Sequence, residues 1–190
     1  MSERANHADD IVANIADIFL RRGAEAYLGE AVTMAEHMLQ TATLAHAAGA
    51  PDALVAAALL HDIGHFTSEF GTYSPDDTVD RHHDDAGADV LASHFPPRVA
   101  ETVRLHVAAK RYLCAVEPDY HDTLSSASRH SLALQGGPMS ADEVAAFERL
   151  PAYRDAVLVR RWDDGGKVAG MRTMTFDEFR PLLSRAIMDA

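Results

Sequence analysis

The sequence predicts an all-α fold, a single helical domain over residues 1–190, and three observations carry that expectation. Apolar residues recur at helical spacing along nearly the whole chain. Glycine and proline interrupt the pattern at intervals that a helix of ordinary length fills. No segment alternates with the period of two expected of a half-buried strand, and there is no internal repeat or low-complexity stretch. With 190 residues, 47% of them hydrophobic and 24% charged, the chain can bury one sizeable core.

The elements follow in order. IVANIADIFLRRG places apolar residues on one helical face and stops at Gly23, an expected left-handed C-cap. AVTMAEHMLQTATLAHAAG does the same and ends at Gly49. Pro51 opens PDALVAAALLHD within its first turn. HDDAGADVLASHF forms a fourth helix, and Pro97 opens a fifth, PRVAETVRLHVAAKRYL. SADEVAAFERL begins with Ser140 and Glu143 at capping-box spacing. AYRDAVLVRRWDD follows, and a last helix, whose start Pro181 limits, holds the C-terminus. TSEFGTYSPDDTVDR, residues 67–81, is the longest connection without a period, a length found in binding loops and in plain surface loops alike.

Bulk composition narrows the classes of function. A net charge of −12 argues against nucleic acid as a partner, since phosphate backbones are bound by basic surfaces. No apolar run reaches membrane-spanning length, so no membrane association is expected. The start, MSERANHADD, lacks the basic flank and apolar stretch of a signal peptide, and Cys114 has no second cysteine to pair with. Both point to a reducing, cytoplasmic location. Eleven histidines are the unusual feature, because histidine is the commonest metal ligand.

Those histidines fall on apolar helix faces. Leu54, Ala58, His61 and His65 share one face; Val99, Val103, His106 and Lys110 share another. His83, Gly87, Val90 and His94 follow the same template, as do Met34, His37, Thr41 and Leu44. Tyr153, Val157, Arg160 and Asp163 line up near the C-terminus, with Lys167 four residues beyond. One buried histidine is commonly a satisfied core residue. Several converging ones are each costly unless a shared metal satisfies them together. The adjacent His61-Asp62 pair fits a two-metal site, where a carboxylate bridges ions about 3.5–4 Å apart. A mixed nitrogen and oxygen set suits iron, manganese, cobalt or zinc better than magnesium.

His37, His61-Asp62, His83, His106 and Asp163 together resemble the ligand pattern of the HD-domain superfamily. The stretches YLGE (27–30), LHVAAKRYL (105–113), LQGGPMS (134–140) and WDDGGK (162–167) resemble a narrower group. That group is the HD-domain mixed-valent diiron oxygenases, which includes myo-inositol oxygenase and the enzymes that cleave the C–P bond of organophosphonates. The resemblance implies that His37, His61, Asp62, His83, His106 and Asp163 hold an Fe(II)/Fe(III) pair, with Asp62 bridging. His83 rather than His82 matches the family's H-x-x-x-G register through Gly87, and Asp163 rather than Asp164 is followed by Lys167 at four.

The resemblance further implies that His65, Lys110, Arg160 and a serine of LSSAS, Ser128 or Ser126, bind phosphonate oxygens. Tyr27 and Glu30 resemble a pair that caps the site, the tyrosine giving way to substrate and the glutamate facing its amino end. In residue terms His65 also suits a helix C-terminus, Lys110 a basic turn and Tyr27 interhelical packing. With O2 as co-substrate, the implied reaction converts a 1-hydroxy-2-(amino or trimethylammonio)ethylphosphonate into inorganic phosphate and glycine or glycine betaine. A hydroxylase that makes the 1-hydroxyphosphonate would act first. Glu30 suits a primary ammonium, whereas Tyr27, Phe66, Phe70 and Tyr73 suit a trimethylammonium. The competing expectation is a metal-dependent phosphohydrolase acting on a nucleotide or small phosphate ester.

Overall fold

In the computed structural model, which describes residues 2–27, 29–67 and 77–188, DALVAAALL forms a helix whose Leu54–Leu60 are all buried. A segment apolar on every face has no stable place except inside. The helices are, in order, α1 (Ser2–Arg22), α2 (Met34–Ala47), α3 (Asp52–Leu60), α4 (Gly64–Thr67), α5 (His83–Ala92) and α6 (Pro97–Val116). There follow α7 (Tyr120–Thr123), α8 (Ser126–Leu134), α9 (Ala141–Phe147), α10 (Tyr153–Gly165) and α11 (Phe176–Met188). Helices α2, α6, α10 and α11 surround the central α3. Helix α5 packs on α6 and α4, α1 lies on α11, and α7 and α9 rest on α6. An isolated bridge between Ala26 and Thr33 is the one β pairing among the described residues, so the fold is all-α. Among those residues no helix is long and apolar enough to cross a membrane.

Local chemistry accounts for most boundaries. Thr33 and Glu36 form a capping box at the start of α2, and Ser140 and Glu143 form the expected one at α9. Gly49 adopts φ +73° just beyond α2, as a left-handed cap should. Pro97 occupies the first turn of α6, while Pro51 stands one residue before α3 as its N-cap.

Four expectations need correction or completion. Gly23 is not left-handed; a Cβ there would meet Phe19 O of its own turn at 2.3 Å and the Ala35 side chain at 2.7 Å, so both the end of α1 and its contact with α2 require glycine. Helix α1 begins well before Ile11. Pro181 lies inside α11, five residues after its start, and the helix is opened instead by Thr175 and Glu178, which bond each other's backbone N–H groups. The short helices α4, α7 and α8 carry too few turns to show a period; Ser125 caps α8 by accepting from the Ser128 N–H. Residues 68–76 of the long connection, with Phe70 and Tyr73, lie outside the described residues.

Candidate metal centre

Four long helices and one turn meet at a cluster of buried polar groups. Helix α2 contributes His37, α6 contributes His106, and α5 begins with His83. His61 ends α3 as its C-cap and Asp62 follows in the turn before α4. Helix α10 supplies Asp163.

Three imidazoles have their tautomer fixed by the backbone. Nδ1 of His37 lies 2.8 Å from Gly166 O, Nδ1 of His61 2.9 Å from Ala58 O, and Nδ1 of His106 2.7 Å from Val103 O. A carbonyl oxygen can only accept, so Nδ1 carries the proton and Nε2 presents a lone pair. Those Nε2 atoms then face other ring nitrogens. His37 Nε2 is 3.0 Å from His61 Nε2, and His83 Nε2 is 3.1 Å from His106 Nε2. In the first pair both Nδ1 atoms carry the proton, and lone pairs opposed at that distance repel unless a cation lies beside both. Burial holds His37 and His83 neutral, each with its pKa lowered to about 3, which is the form that binds a metal.

Asp62 stands between the two pairs. Its Oδ2 is 3.4 Å from His61 Nε2 and 3.5 Å from His37 Nε2, and its Oδ1 is 3.4 Å from His83 Nε2 and 3.5 Å from His106 Nε2. Asp163 Oδ1 lies 3.4 Å from His37 Nε2 on the first side. Bonds of about 2.1 Å to one ion would separate neighbouring ligand atoms by roughly 3.0–3.4 Å. Asp62 Oδ2 and Asp163 Oδ1 are moreover buried without a hydrogen-bond partner. Two orphaned carboxylate oxygens among lone-pair nitrogens fit two divalent or trivalent cations, with one carboxylate shared, and the nitrogen content fits a transition metal.

A cavity opens beside this cluster, and Lys110, Arg160 and Arg81 line it together with the Asp62, Asp80 and Asp163 carboxylates. Lys110 is buried, donates to Ser131 Oγ at 2.7 Å, and makes no ion pair among the described residues. Burial, and then the neighbouring Arg160, lower its pKa to about 7. Lys167 donates to Ser128 Oγ at 3.0 Å and approaches Asp163 Oδ1 at 3.4 Å. Arg160 lines the same cavity and donates to Asp163 Oδ2 at 2.6 Å. A buried ammonium facing hydroxyls rather than carboxylates is an unmet demand for an anion.

His65 also lines this cavity. Its ring stacks on His83 with centroids 4.1 Å apart, and its Nε2 is 3.9 Å from Asp62 Oδ1. Unlike His37, His61 and His106 it has no backbone acceptor, its Nδ1 being buried and unpartnered. Tyr27 closes another side, stacked on His37 with centroids 3.9 Å apart. Burial, and then the Asp62 and Asp163 carboxylates, push its phenol well above the ordinary pKa, so it keeps its proton.

Of the residues singled out from sequence, the structure brings to the cluster or its cavity His37, His61, Asp62, His65, His83, His106, Lys110, Ser128, Arg160, Asp163 and Tyr27. It does not bring Ser126, which is exposed on the first turn of α8. Glu30 is half-buried, with Oε1 lacking a partner, and does not line the cavity. His82 is exposed, unlike its neighbour His83, and Asp164 turns to Arg160 and Tyr120. His7, His46, His121 and His130 are exposed, and His94 stands apart beside His7. Sequence pattern passed over Ser131, Gln135, Asp80 and Arg81, which also line the cavity. Ser131 follows Ser128 by three, a spacing that means something only once α8 is known to be a helix.

The chain matches the HD-domain family over residues 34–149, a span that holds His37 through His106 and stops short of Asp163. It is 56% identical over 178 residues to a [1-hydroxy-2-(trimethylamino)ethyl]phosphonate dioxygenase (glycine-betaine-forming) of Leisingera caerulea, covering 94% of this chain and 91% of that protein. It is 46% identical over 156 residues to a hydroxymethylphosphonate dioxygenase of Gimesia maris, covering 82% and 78% respectively. An uncharacterized protein of Acanthamoeba polyphaga mimivirus is 32% identical over 187 residues, covering 94% and 84%.

Proposed function

This chain belongs to the HD-domain family, and from that premise we propose that it is an iron-dependent oxygenase that cleaves the C–P bond of a 1-hydroxyphosphonate. Its substrate is a 1-hydroxy-2-(trimethylammonio)ethylphosphonate or the corresponding primary amine, and the more similar of the two dioxygenase relatives favours the first. The products are inorganic phosphate and glycine betaine or glycine. An enzyme that hydroxylates C1 of the phosphonate supplies the substrate.

The observation that carries the reading is Asp62, with each carboxylate oxygen set between a different pair of imidazole nitrogens and a cavity lined by Lys110 and Arg160 alongside. His37, His61, Asp62 and Asp163 would hold one iron, and Asp62, His83 and His106 the other. Two irons in unequal oxidation states supply dioxygen activation and one-electron chemistry when bound. Stoichiometry assigns both oxygen atoms, one to the new carboxylate and one to the released phosphate.

The chain's own residues prepare the anion. Lys110, Arg160 and His65, with the Ser128 hydroxyl, take up the phosphonate charge where water is excluded, and the Lys110 ammonium keeps its proton when the anion is beside it. Tyr27 lies flat on His37 over the cluster, so substrate entry at that side requires the phenol to yield. The Glu30 N–H donates to Tyr27 O at 2.7 Å, and its unpartnered Oε1 supports a role at the amino end.

The experiment is phosphate release from the trimethylammonium and primary-amine 1-hydroxyphosphonates by iron-loaded protein, in air and under nitrogen. Release only in air is expected, and the faster substrate identifies the amino end. Hydrolysis of ordinary phosphate esters under nitrogen, with no release from either phosphonate, would overturn the oxygenase in favour of a phosphohydrolase.

A further inference from the structure

Arg160 is held from behind. Its Nε donates to the Tyr120 hydroxyl at 3.0 Å, one terminal nitrogen donates to Asp163 Oδ2 at 2.6 Å, and the other donates to Asp164 Oδ1. The Tyr120 hydroxyl in turn donates to Asp164 Oδ2, so hydroxyl, carboxylate and guanidinium form a closed ring. These contacts engage three of the five guanidinium N–H groups. Asp163 and Asp164 lie three and four residues along the same helix, but Tyr120 arrives from α7, forty positions earlier. Arg160 lines the cavity beside the metal cluster. Tyr120 and Asp164 do not; they line a separate outer cleft with Glu117 and Arg161.

We propose that Tyr120 and Asp164 are positioning residues for anion binding, a clamp that fixes the plane of the Arg160 guanidinium from the side away from the ligand. An arginine free to change rotamer would have to be ordered each time an anion bound. The clamp does that ordering in advance and directs the two uncommitted N–H groups into the cavity. It also keeps Asp163 Oδ2 occupied, which leaves Oδ1 turned toward His37. Asp164 is therefore not a spare copy of Asp163: one aspartate faces the cluster and the next holds the arginine. The inference rests on the anion-binding role proposed for Arg160.

The test is isothermal titration of metal-loaded full-length protein with methylphosphonate, which reads anion affinity without turnover. Tyr120→Phe and Asp164→Asn are each expected to weaken binding by up to about tenfold, the cost of ordering one long side chain on binding. Neither should weaken it further in an Arg160→Lys background, because both act through the guanidinium. A purely structural role predicts unchanged affinity, or losses that add to that of Arg160→Lys, and either result overturns the clamp. If Tyr120→Phe fails to fold, Asp164→Asn decides alone, since its side chain is 25% exposed. Wild-type protein that does not bind methylphosphonate would remove the anion site itself, and the clamp with it, which separates that failure from one confined to Tyr120 and Asp164.

Discussion

At the scale of single residues, Lys110 shows how burial becomes a functional property. Its ammonium is shut away from water beside the guanidinium of Arg160, and both effects favour the neutral amine, bringing its pKa to about 7. An anion in the cavity favours the charged form. Below about pH 7 the ammonium is already present and binding costs no proton uptake. Above it, each anion bound must bring a proton to Lys110, so affinity falls as pH rises. Methylphosphonate titration at several pH values in wild type and Lys110→Met checks this, the ratio of the two affinities cancelling the ligand's own ionisation. The ratio should fall toward tenfold per pH unit above about pH 7. A ratio independent of pH would show that Lys110 does not meet the anion.

At the scale of elements, the second histidine pair depends on two helices touching backbone to backbone. A Cβ on Gly64 in α4 would lie 1.8 Å from His83 O and 2.8 Å from Gly87 N in α5, both main-chain atoms that cannot turn aside. A Cβ on Gly87 would in turn lie 3.1 Å from Gly64 N. This contact gives a physical reason for a glycine four residues after His83: it lets α5 approach the turn that carries Asp62. Gly64→Ala should therefore cost about 3 kcal/mol or more of stability, measured by urea unfolding, because the helices must separate. The same displacement carries His83 from Asp62, so metal content should fall with it. A variant as stable as wild type would show that α4 and α5 part without strain.

At the scale of the whole molecule, the cluster ties together helices that are distant in sequence. His37, His61, His83, His106 and Asp163 arrive from five helices and face one another across Asp62. Without cations the fold must bury the opposed lone pairs of His37 and His61 and two carboxylate oxygens that accept no hydrogen bond. Metal bound to the folded state alone stabilises it by mass action. Stripping with a chelator should lower the melting temperature on the order of 10 °C, and restored iron should recover it. An unchanged melting temperature would mean that the folded chain holds no tightly bound metal.

What the sequence determined by itself is what local spacing encodes. The long helices, the capping box of α9 and the inward faces bearing His37, His83, His106 and Asp163 follow from a period of 3.6 and from a few cap residues. The HD-domain resemblance rested on those same positions. The tertiary structure decided what no period records. Ser131 rather than Ser126 faces Lys110, Asp164 turns to Tyr120, Gly23 serves a close approach rather than a left-handed cap, and α11 tolerates Pro181 within it. Helices α7 and α8 have too few turns to announce which face looks inward. That face is set by what stands opposite, α6 and α10 carrying buried cations, and a partner from a distant part of the chain leaves no mark on local spacing.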